Sequence, residues 1–398
     1  MSTQPVHVIV VGGGIAGLAA AHALLVDAPS GACRVTVLEA QQRLGGKIRT
    51  TPFAGRLGVD EGADAFLARV PEATQLAHDV GLADQLTSPA TGSAAVWWDG
   101  LKPIPPGLVL GLPTDVLRLA RSRLLSWTGK LRAATEVMRP RTETDDDSIG
   151  AYVRDRFGTQ VHERLVDPLV GSIYAADTDR FSLHAVPQLA DLAAGPRSVL
   201  LAARHRPAAP EGPVFYAPRG GMGDLVERLG QTITDLGGDI RLGTPCQTLE
   251  RDRDGWRIDG QYADGVVLAC PAAQAARLLK HSVATDPLAS IEYADVVLIT
   301  VAIARGDWPE RLHGMSGYLV PKPVQQMVTA VSFASQKWAH LHDDESVVLR
   351  ISLGRDGLPV LHQSDERLLD SALSDTVASL RDLDVVRDVT SVMRVEGE

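Results

Sequence analysis

Six residues near the start of the chain, Gly12-Gly13-Gly14-Ile15-Ala16-Gly17, have the types and spacing that bring a backbone against a diphosphate. Gly12 permits a tight turn, Gly14 lets the main chain approach a pyrophosphate, and Gly17 lets a helix pack closely on a strand. Glu39-Ala40 follows, where a carboxylate reaches both hydroxyls of an adenosine ribose. Next comes Arg43-Leu44-Gly45-Gly46-Lys47-Ile48, a second glycine pair for close approach and an arginine able to neutralise a pyrophosphate. This is the chemistry of holding a dinucleotide. The sequence has no H-E-x-x-H, C-x-x-C or G-x-S-x-G, so zincin, thioredoxin-like and serine-hydrolase chemistry lack support.

Placing those residues requires a strand, a turn and a helix. Val6 to Val11 is an apolar, β-branched run of strand length, and Ile15 to Val26 continues with helical spacing. The glycines therefore fall at a strand-to-helix turn, where free N–H groups and the positive end of the helix dipole face an anion. Val35-Thr36-Val37-Leu38 reads as the second strand, and Glu39 ends it. A membrane span or signal peptide over 6–26 is the rival reading. Four glycines within the stretch and no basic run before it argue against that.

A chain of 398 residues with 45% hydrophobic residues predicts two or three domains with large cores. Its formal charge of −10 argues against nucleic acid as a partner. Cys33, Cys246 and Cys270 are widely spaced in apolar contexts, which suits buried thiols in a reducing cytoplasm and gives neither a disulfide frame nor a metal site.

The pattern predicts a strand at Ala94 to Trp98, a proline-rich corner at Pro103-Ile104-Pro105-Pro106, helix from Thr114 to Met138, and an acidic linker at Glu143 to Asp147. Helices over Ile149 to Phe157 and Leu183 to Ala194 follow. Val214-Phe215-Tyr216 reads as a strand, Leu225, Leu229 and Ile233 mark a helix, and a strand lies around Ile240-Arg241-Leu242. Residues 247–269 read as a β-meander ending in the apolar Gly265 to Ala269. Strands are expected at Val296 to Ile303, Gly317 to Val320 and Val347 to Ser352, then a helix from Ser364 to Leu383 and a strand from Val385 to Val395. The simplest account is an α/β (α+β) chain with a discontinuous nucleotide domain, residues 1–85 and 209–284. The remainder is a second domain, 86–103 and 285–398, with a helical insertion at 104–208.

The run Arg43 to Thr50 resembles the R-x-G-G-[R/K]-x-x-[S/T] segment of the flavin-dependent amine oxidase and protoporphyrinogen oxidase superfamily. Further segments are similar to its bacterial coproporphyrinogen III and protoporphyrinogen oxidases: Asp60 to Arg69, Leu124 to Arg132, Val166-Asp167-Pro168 through Ala175, and Pro218-Arg219-Gly220-Gly221-Met222. Ala269-Cys270-Pro271-Ala272, Gly317 to Pro321 and Lys337-Trp338 extend the likeness, which runs from residue 6 to about 353. It implies a Rossmann-like FAD-binding domain with Gly12, Gly13, Gly14, Ile15, Ala16, Gly17, Glu39, Ala40, Arg43, Gly45, Gly46, Lys47, Ile48, Gly62, Ala63, Asp64 and Cys246 at the cofactor. It also implies oxidation of a porphyrinogen in heme biosynthesis, three rounds of hydride and proton loss with dioxygen as acceptor and hydrogen peroxide as product. No residue is assigned as catalytic acid or base, because backbone carbonyls can polarise the pyrrole N–H groups.

The Asp167 to Tyr174 segment is expected to be a loop facing the substrate, with Gly171 allowing close approach and Tyr174 beside it. Some relatives carry an arginine before the proline-rich corner that is proposed to bind a substrate carboxylate. Here no lysine or arginine occurs between Arg69 and Lys102, so that role passes to Lys102 or is lost. Coproporphyrinogen III is the favoured substrate over protoporphyrinogen IX. An amine oxidase or carotenoid desaturase with Lys337 near the flavin, and a non-catalytic FAD protein, are the rivals. Seven basic residues and one acid between Arg118 and Arg141 suit either a solvated helix or peripheral contact with the inner face of the cell membrane. Finally, relatives return to the cofactor through a C-terminal glycine-rich turn. No glycine lies between Gly357 and Gly397, so the expectation is a chain shortened by several tens of residues, with weak flavin retention.

Overall fold

The computed structural model describes residues 5–139, 147–195, 197–203, 212–280, 285–380 and 392–396. The chain divides into two compact units. One joins Met1–Ser88 to Pro213–Glu292, and the other joins Pro89–Gly212 to Tyr293–Glu398.

In the first unit four parallel strands lie in the order Asp239–Arg241, Cys33–Leu38, Val6–Val11, Gly265–Leu268. The two central strands are apolar on both faces because both faces are covered. Val10, Val35 and Val37 pack with Leu18 and Ala21 of the helix Ile15–Asp27 and with Leu225, Leu229 and Ile233 of the helix Gly223–Asp235. Ile9, Val11 and Leu38 face the other way, against Leu249, Ile258 and Ala263. Those three residues belong to an antiparallel meander of Leu249–Arg251, Trp256–Ile258 and Gln261–Ala263. The meander stops there, one strand earlier than its sequence suggests. Gly265–Leu268 leaves it to run parallel to Val6–Val11, where an uninterrupted apolar run can be buried on both faces.

The second unit is built on a seven-stranded sheet, in order Val392–Glu396, Val297–Ala304, Ser346–Leu353, Val328–Ser332, Gly317–Leu319, Ala94–Trp97, Leu101–Pro103. All neighbours are antiparallel except Gly317–Leu319 with Ala94–Trp97. The helix Asp365–Leu380 covers one face through Leu368, Ala372 and Leu380. Residues 381–383 of its expected span and 385–391 of the last expected strand lie outside the described residues, as do 143–146 of the acidic linker. The proline-rich corner begins as the second arm of a hairpin, with Ala95 opposite Pro103.

The helical insertion is more broken than its periodicity predicts. Thr114 to Met138 forms helices Val116–Arg121 and Trp127–Ala134 followed by a 3₁₀ turn, Thr135–Met138. Local caps set these starts: Asp115 accepts from the Leu117 and Arg118 N–H groups to open the first helix, and Ser126, accepting from Gly129 N–H, opens a second inside the expected span. Leu183 to Ala194 is divided likewise, because Pro187 opens the helix Pro187–Ala194 and holds Val186 out of helical geometry. Ile149–Phe157 is the helix expected.

A buried ion pair ties this insertion together. Glu136 and Arg156 are 0% and 2% exposed and bonded to each other. The Glu136 carboxylate also accepts from Ser198 Oγ at 2.6 Å and Val199 N–H at 2.9 Å. Removing one partner strands the other charge in the interior. Glu136→Ala should therefore lower stability by about 3–5 kcal/mol. Urea unfolding checks this, and Glu136→Ala with Arg156→Met should cost less than the sum of the single changes.

Candidate functional site: a double glycine turn

The first unit sets two glycine turns side by side. Gly45 N–H donates to Gly13 O at 2.9 Å, and Gly14 and Gly45 form a parallel bridge. Gly46, with φ of 58°, packs so closely that an added Cβ would lie 3.3 Å from Gly14 Cα. Gly12 has φ of 112°, and a Cβ there would lie 2.6 Å from the Ala269 carbonyl oxygen. At Gly17 it would overlap the Gly12 carbonyl oxygen. These glycines are demanded by the protein's own packing. Gly14 differs: its conformation is ordinary, and its Cβ position is open, with only Gly46 Cα at 3.9 Å.

Glu39 closes the turn from below. Its buried carboxylate accepts from Gly13 N–H and Gln41 N–H, each at 2.7 Å. One oxygen is engaged by each, which leaves acceptor capacity on both. Gly14 caps the helix Ile15–Asp27 without any side-chain hydrogen bond, and no acid lies in its first turn. Its leading N–H groups, from Ile15, Ala16 and Gly17, are thus available to an anion. An open Gly14, uncapped helix N–H groups and a half-satisfied buried carboxylate fit the diphosphate and ribose of a dinucleotide.

Arg43 makes its contacts within the protein on its own loop. Its guanidinium donates to the Leu44, Gly46 and Ile48 carbonyls at 3.1, 2.7 and 3.1 Å. Three carbonyls of one turn bound by one cation brace that turn. Lys47 is exposed beside the turn and Ile48 is buried under it. Gly62 lies against the Lys47 carbonyl, where a Cβ would come within 2.5 Å, which brings Ala63 and Asp64 alongside. Exposed Ala40 follows Glu39, and Thr244 N–H donates to Glu39 O at 2.8 Å, so the segment leading to Cys246 runs beside Glu39. The Cys246 thiol itself points into the core with Ile9, Val11 and Leu38. Burial, then the Asp259 charge, push its pKa up to about 11, so it remains an uncharged packing group. Sequence reasoning missed Asp60, whose buried carboxylate accepts from Met222 N–H at 2.9 Å and from Thr50 Oγ1. This joins the Pro218–Met222 turn to the strand Arg56–Asp60.

In the second unit the expected substrate residues are placed differently. Asp167–Tyr174 is a helix, not a loop. Gly171 is small because a Cβ there would meet the Arg355 guanidinium at 2.9 Å. Arg355 forks onto buried Asp167 at 2.6 and 3.1 Å and donates to Ala176 O at 2.6 Å. Helical geometry keeps both faces of the fork on one side of the segment. Burial alone raises the Asp167 pKa, but the Arg355 bonds and charge outweigh it and hold the carboxyl below the usual range. His162 Nε2 lies 2.9 Å from Thr178 Oγ1, which donates to Asp167 at 2.7 Å. Burial and then the Arg154 charge lower the His162 pKa, so it is neutral at pH 7. Tyr174 is partly exposed, at 42%, with its ring 5.3 Å from Phe181. Lys102 sits on the hairpin strand opposite Val96. Among the described residues no hydrogen bond or ion pair joins it to Gly171 or Tyr174. No group of His, Cys, Asp and Glu able to hold a metal is found among the described residues.

Residues 15–392 match the family described as flavin containing amine oxidoreductase. The chain belongs to that family. This flavin amine oxidoreductase is 30% identical over 418 residues to the coproporphyrinogen III oxidase of Bacillus subtilis (strain 168), covering 100% of this chain and 85% of that protein. It is 34% identical over 380 residues to the coproporphyrinogen III oxidase of Mycobacterium bovis, covering 92% and 81%. A solved structure of a candidate protoporphyrinogen oxidase from Exiguobacterium sp. 255-15 superposes with a TM-score of 0.85 at 30% identity, covering 100% and 86%. Reduced UDP-galactopyranose mutase superposes at 0.71 with 13% identity, which speaks for the fold alone. The protein is an oxidoreductase with a flavin cofactor, on an α/β fold.

The glycines of this flavin amine oxidoreductase separate by experiment. Gly14→Val should fold normally yet lose its flavin, because the added side chain occupies only the space left to the cofactor. Gly17→Val should destabilise the flavin-free protein by about 1–3 kcal/mol through overpacking. Flavin absorbance of the purified variants and urea unfolding of the flavin-free forms test both.

Proposed function

We propose that the cofactor is FAD and that the protein oxidises a porphyrinogen to the porphyrin, coproporphyrinogen III in preference to protoporphyrinogen IX. The support is the likeness to proteins named coproporphyrinogen III oxidase over nearly the whole chain, together with the doubled glycine turn at Glu39. When bound, the flavin accepts a hydride from the substrate and passes the electrons to dioxygen, giving hydrogen peroxide. Three rounds remove six electrons and convert the reduced macrocycle to the aromatic porphyrin.

Within this reading the chain's residues bind and position. Gly12–Gly17 and Gly45–Gly46 hold the diphosphate, Glu39 holds the ribose, and Lys47, Ile48 and Gly62–Asp64 lead on toward the ring. Residues 1–85 and 209–284 form the cofactor domain, and 86–103 with 285–398 form the substrate domain. Asp167 and Arg355 fix the helix that bears Gly171 and Tyr174, as positioning residues for a substrate surface. Porphyrin fluorescence on mixing the flavin-loaded protein with each porphyrinogen in air tests the reading. We expect a higher kcat/KM for coproporphyrinogen III, with one hydrogen peroxide per two electrons. Faster protoporphyrinogen IX would reverse the preference. Turnover of amines or phytoene alone, or of nothing despite full flavin, would overturn the reading.

Peripheral membrane contact is a second element of the proposal. No helix among the described residues is long and apolar enough to cross a membrane. The insertion nonetheless exposes Leu117, Trp127 and Leu131 at 73%, 83% and 69%, among exposed Arg118, Arg121 and Arg123. Apolar side chains among cations suit the surface of an anionic bilayer. Flotation should show binding to vesicles containing phosphatidylglycerol that weakens with salt, and no binding to neutral vesicles.

A further inference from the structure

His162 opens the turn His162–Val166, where the helix widens to π geometry and Asp167 N–H donates back to the His162 carbonyl. Such turns are frequent at functional positions. Here the turn leaves the imidazole buried, 3% exposed, with a different partner on each ring nitrogen. Nδ1 lies 3.2 Å from Arg154 Nη1, and Nε2 lies 2.9 Å from Thr178 Oγ1. Gly150 makes room for this, since a Cβ there would lie 3.1 Å from Nε2.

The chemistry of the partners fixes the proton. A guanidinium can only donate, so Nδ1 must be the bare, accepting nitrogen. The Thr178 hydroxyl gives its one hydrogen to Asp167 Oδ1 at 2.7 Å, which leaves it to accept from Nε2. Both ends therefore demand the neutral Nε2–H tautomer. The bonds run in one direction, from Arg154 through His162 and Thr178 to the carboxylate that Arg355 forks from the other side.

The surrounding charge is balanced without a further proton on His162. Asp167 pairs with Arg355, Asp179 with Arg154, Asp177 with Lys322 at 2.8 Å, and Asp356 with Arg180 at 3.2 Å. Lys322 also lies 3.3 Å from Asp179. The charges that face the imidazole are Arg154, Asp167, Asp179 and Lys322, with Glu163 and Arg164 next to them on its own turn. A second ring proton would set an N–H at Nδ1 against the Arg154 guanidinium and add an unpaired cation to the set. The Arg154 and Asp179 side chains are 38% and 37% exposed, so protons from solvent reach this edge of the ring.

We propose that His162 is a positioning residue with a pH gate: neutral, it holds Asp167 through Thr178 and keeps the helix Asp167–Tyr174 in its working place, and protonated, it parts from Arg154 and lets that helix slacken. The proposal rests on the porphyrinogen reading for one point, that this helix borders the substrate. Burial first, and the Arg154 charge second, lower the imidazole pKa from its ordinary 6.5. The working form is therefore complete above that value and is lost as pH falls through the lower folded one.

The test uses the full flavin-loaded chain, a His162→Gln variant that keeps one donor and one acceptor but does not titrate, and Thr178→Val beside Thr178→Ser. Below the His162 pKa, kcat/KM of the unaltered protein for coproporphyrinogen III should fall about tenfold per pH unit through a rising KM. His162→Gln should lack that acid limb. At neutral pH Thr178→Val should raise KM on the order of 5-fold, as for one lost hydrogen bond, and Thr178→Ser should recover most of the loss. Nitrogen-15 spectra of histidine-labelled protein should contain a signal, missing from His162→Gln, with its proton on Nε2 at neutral pH and on both nitrogens in acid. Near-ultraviolet circular dichroism should change over the same acid range, and not in His162→Gln. An acid limb retained by His162→Gln, or a ring with its proton on Nδ1, would overturn the proposal. If the glutamine variant does not fold, the threonine pair decides, and equal KM in the valine and serine variants would overturn it. The spectroscopic transition in a protein that oxidises no porphyrinogen would keep the gate and reject the functional reading. Porphyrinogen turnover with the same acid limb in both proteins would do the reverse.

Discussion

Two turns of main chain pressed together, with no side chain between them, set the geometry of the first unit. Gly13 and Gly14 lie against Gly45 and Gly46, and the Gly45 N–H bond to Gly13 fixes the approach. Gly46 must lack a Cβ to lie this close to Gly14, and Gly13 and Gly45 must lack one to fit beside Glu39 and the Ile48 carbonyl. The contact also commits everything around it. Gly17 must let the helix pass over the Gly12 carbonyl, Arg43 must brace the second turn, and Glu39 must reach Gly13 N–H from the end of its strand. The sheet beneath supplies the register that makes these meetings coincide, since Val6–Val11 and Cys33–Leu38 run in step from Val6 opposite Cys33 to Val11 opposite Leu38.

The second unit solves a different problem, that of burying charge. Glu136 with Arg156 and Asp167 with Arg355 are almost wholly enclosed. Each pays its desolvation through multiple hydrogen bonds, not through the ion pair alone: Ser198 and Val199 for Glu136, Thr178 for Asp167, Ala176 for Arg355. Such pairs add little net stability, but a misplaced partner is costly, so they select one packing over its competitors. Arg355 and Asp167 lock a helix of the insertion to the end of a sheet strand, and Gly171 exists to let the guanidinium through. Arg164 stands apart from these pairs, since among the described residues its charge has an aromatic ring and a carbonyl but no carboxylate.

The glycine turns, the buried Glu39 at the end of its strand, the parallel strands and most of the sheet strands were legible in the sequence, because local physics specifies them. Runs of apolar, β-branched residues mark the strands, and the positive φ of Gly12, Gly45 and Gly46 marks the turns. What failed failed for local reasons of another kind. Ser126 and Pro187 divide helices that periodicity runs together, since a cap or an imide competes with the helix over a few residues only. Gly265–Leu268 was read with the meander because strand pattern alone carries no partner.

Sequence by itself therefore determined the paired glycine motifs, their seat between strand and helix, and the resemblance that named a flavin oxidoreductase. Those features depend on residues within a few tens of positions of one another, whose types constrain the backbone directly. Only the tertiary structure decided which charges meet: Asp167 with Arg355 across 188 residues, Glu136 with Ser198 across 62, Arg164 over Trp98, and Arg43 upon its own loop. An ionisable side chain carries no mark of its partner. The choice is made when packing brings two desolvated groups within hydrogen-bond reach, and water no longer competes for either.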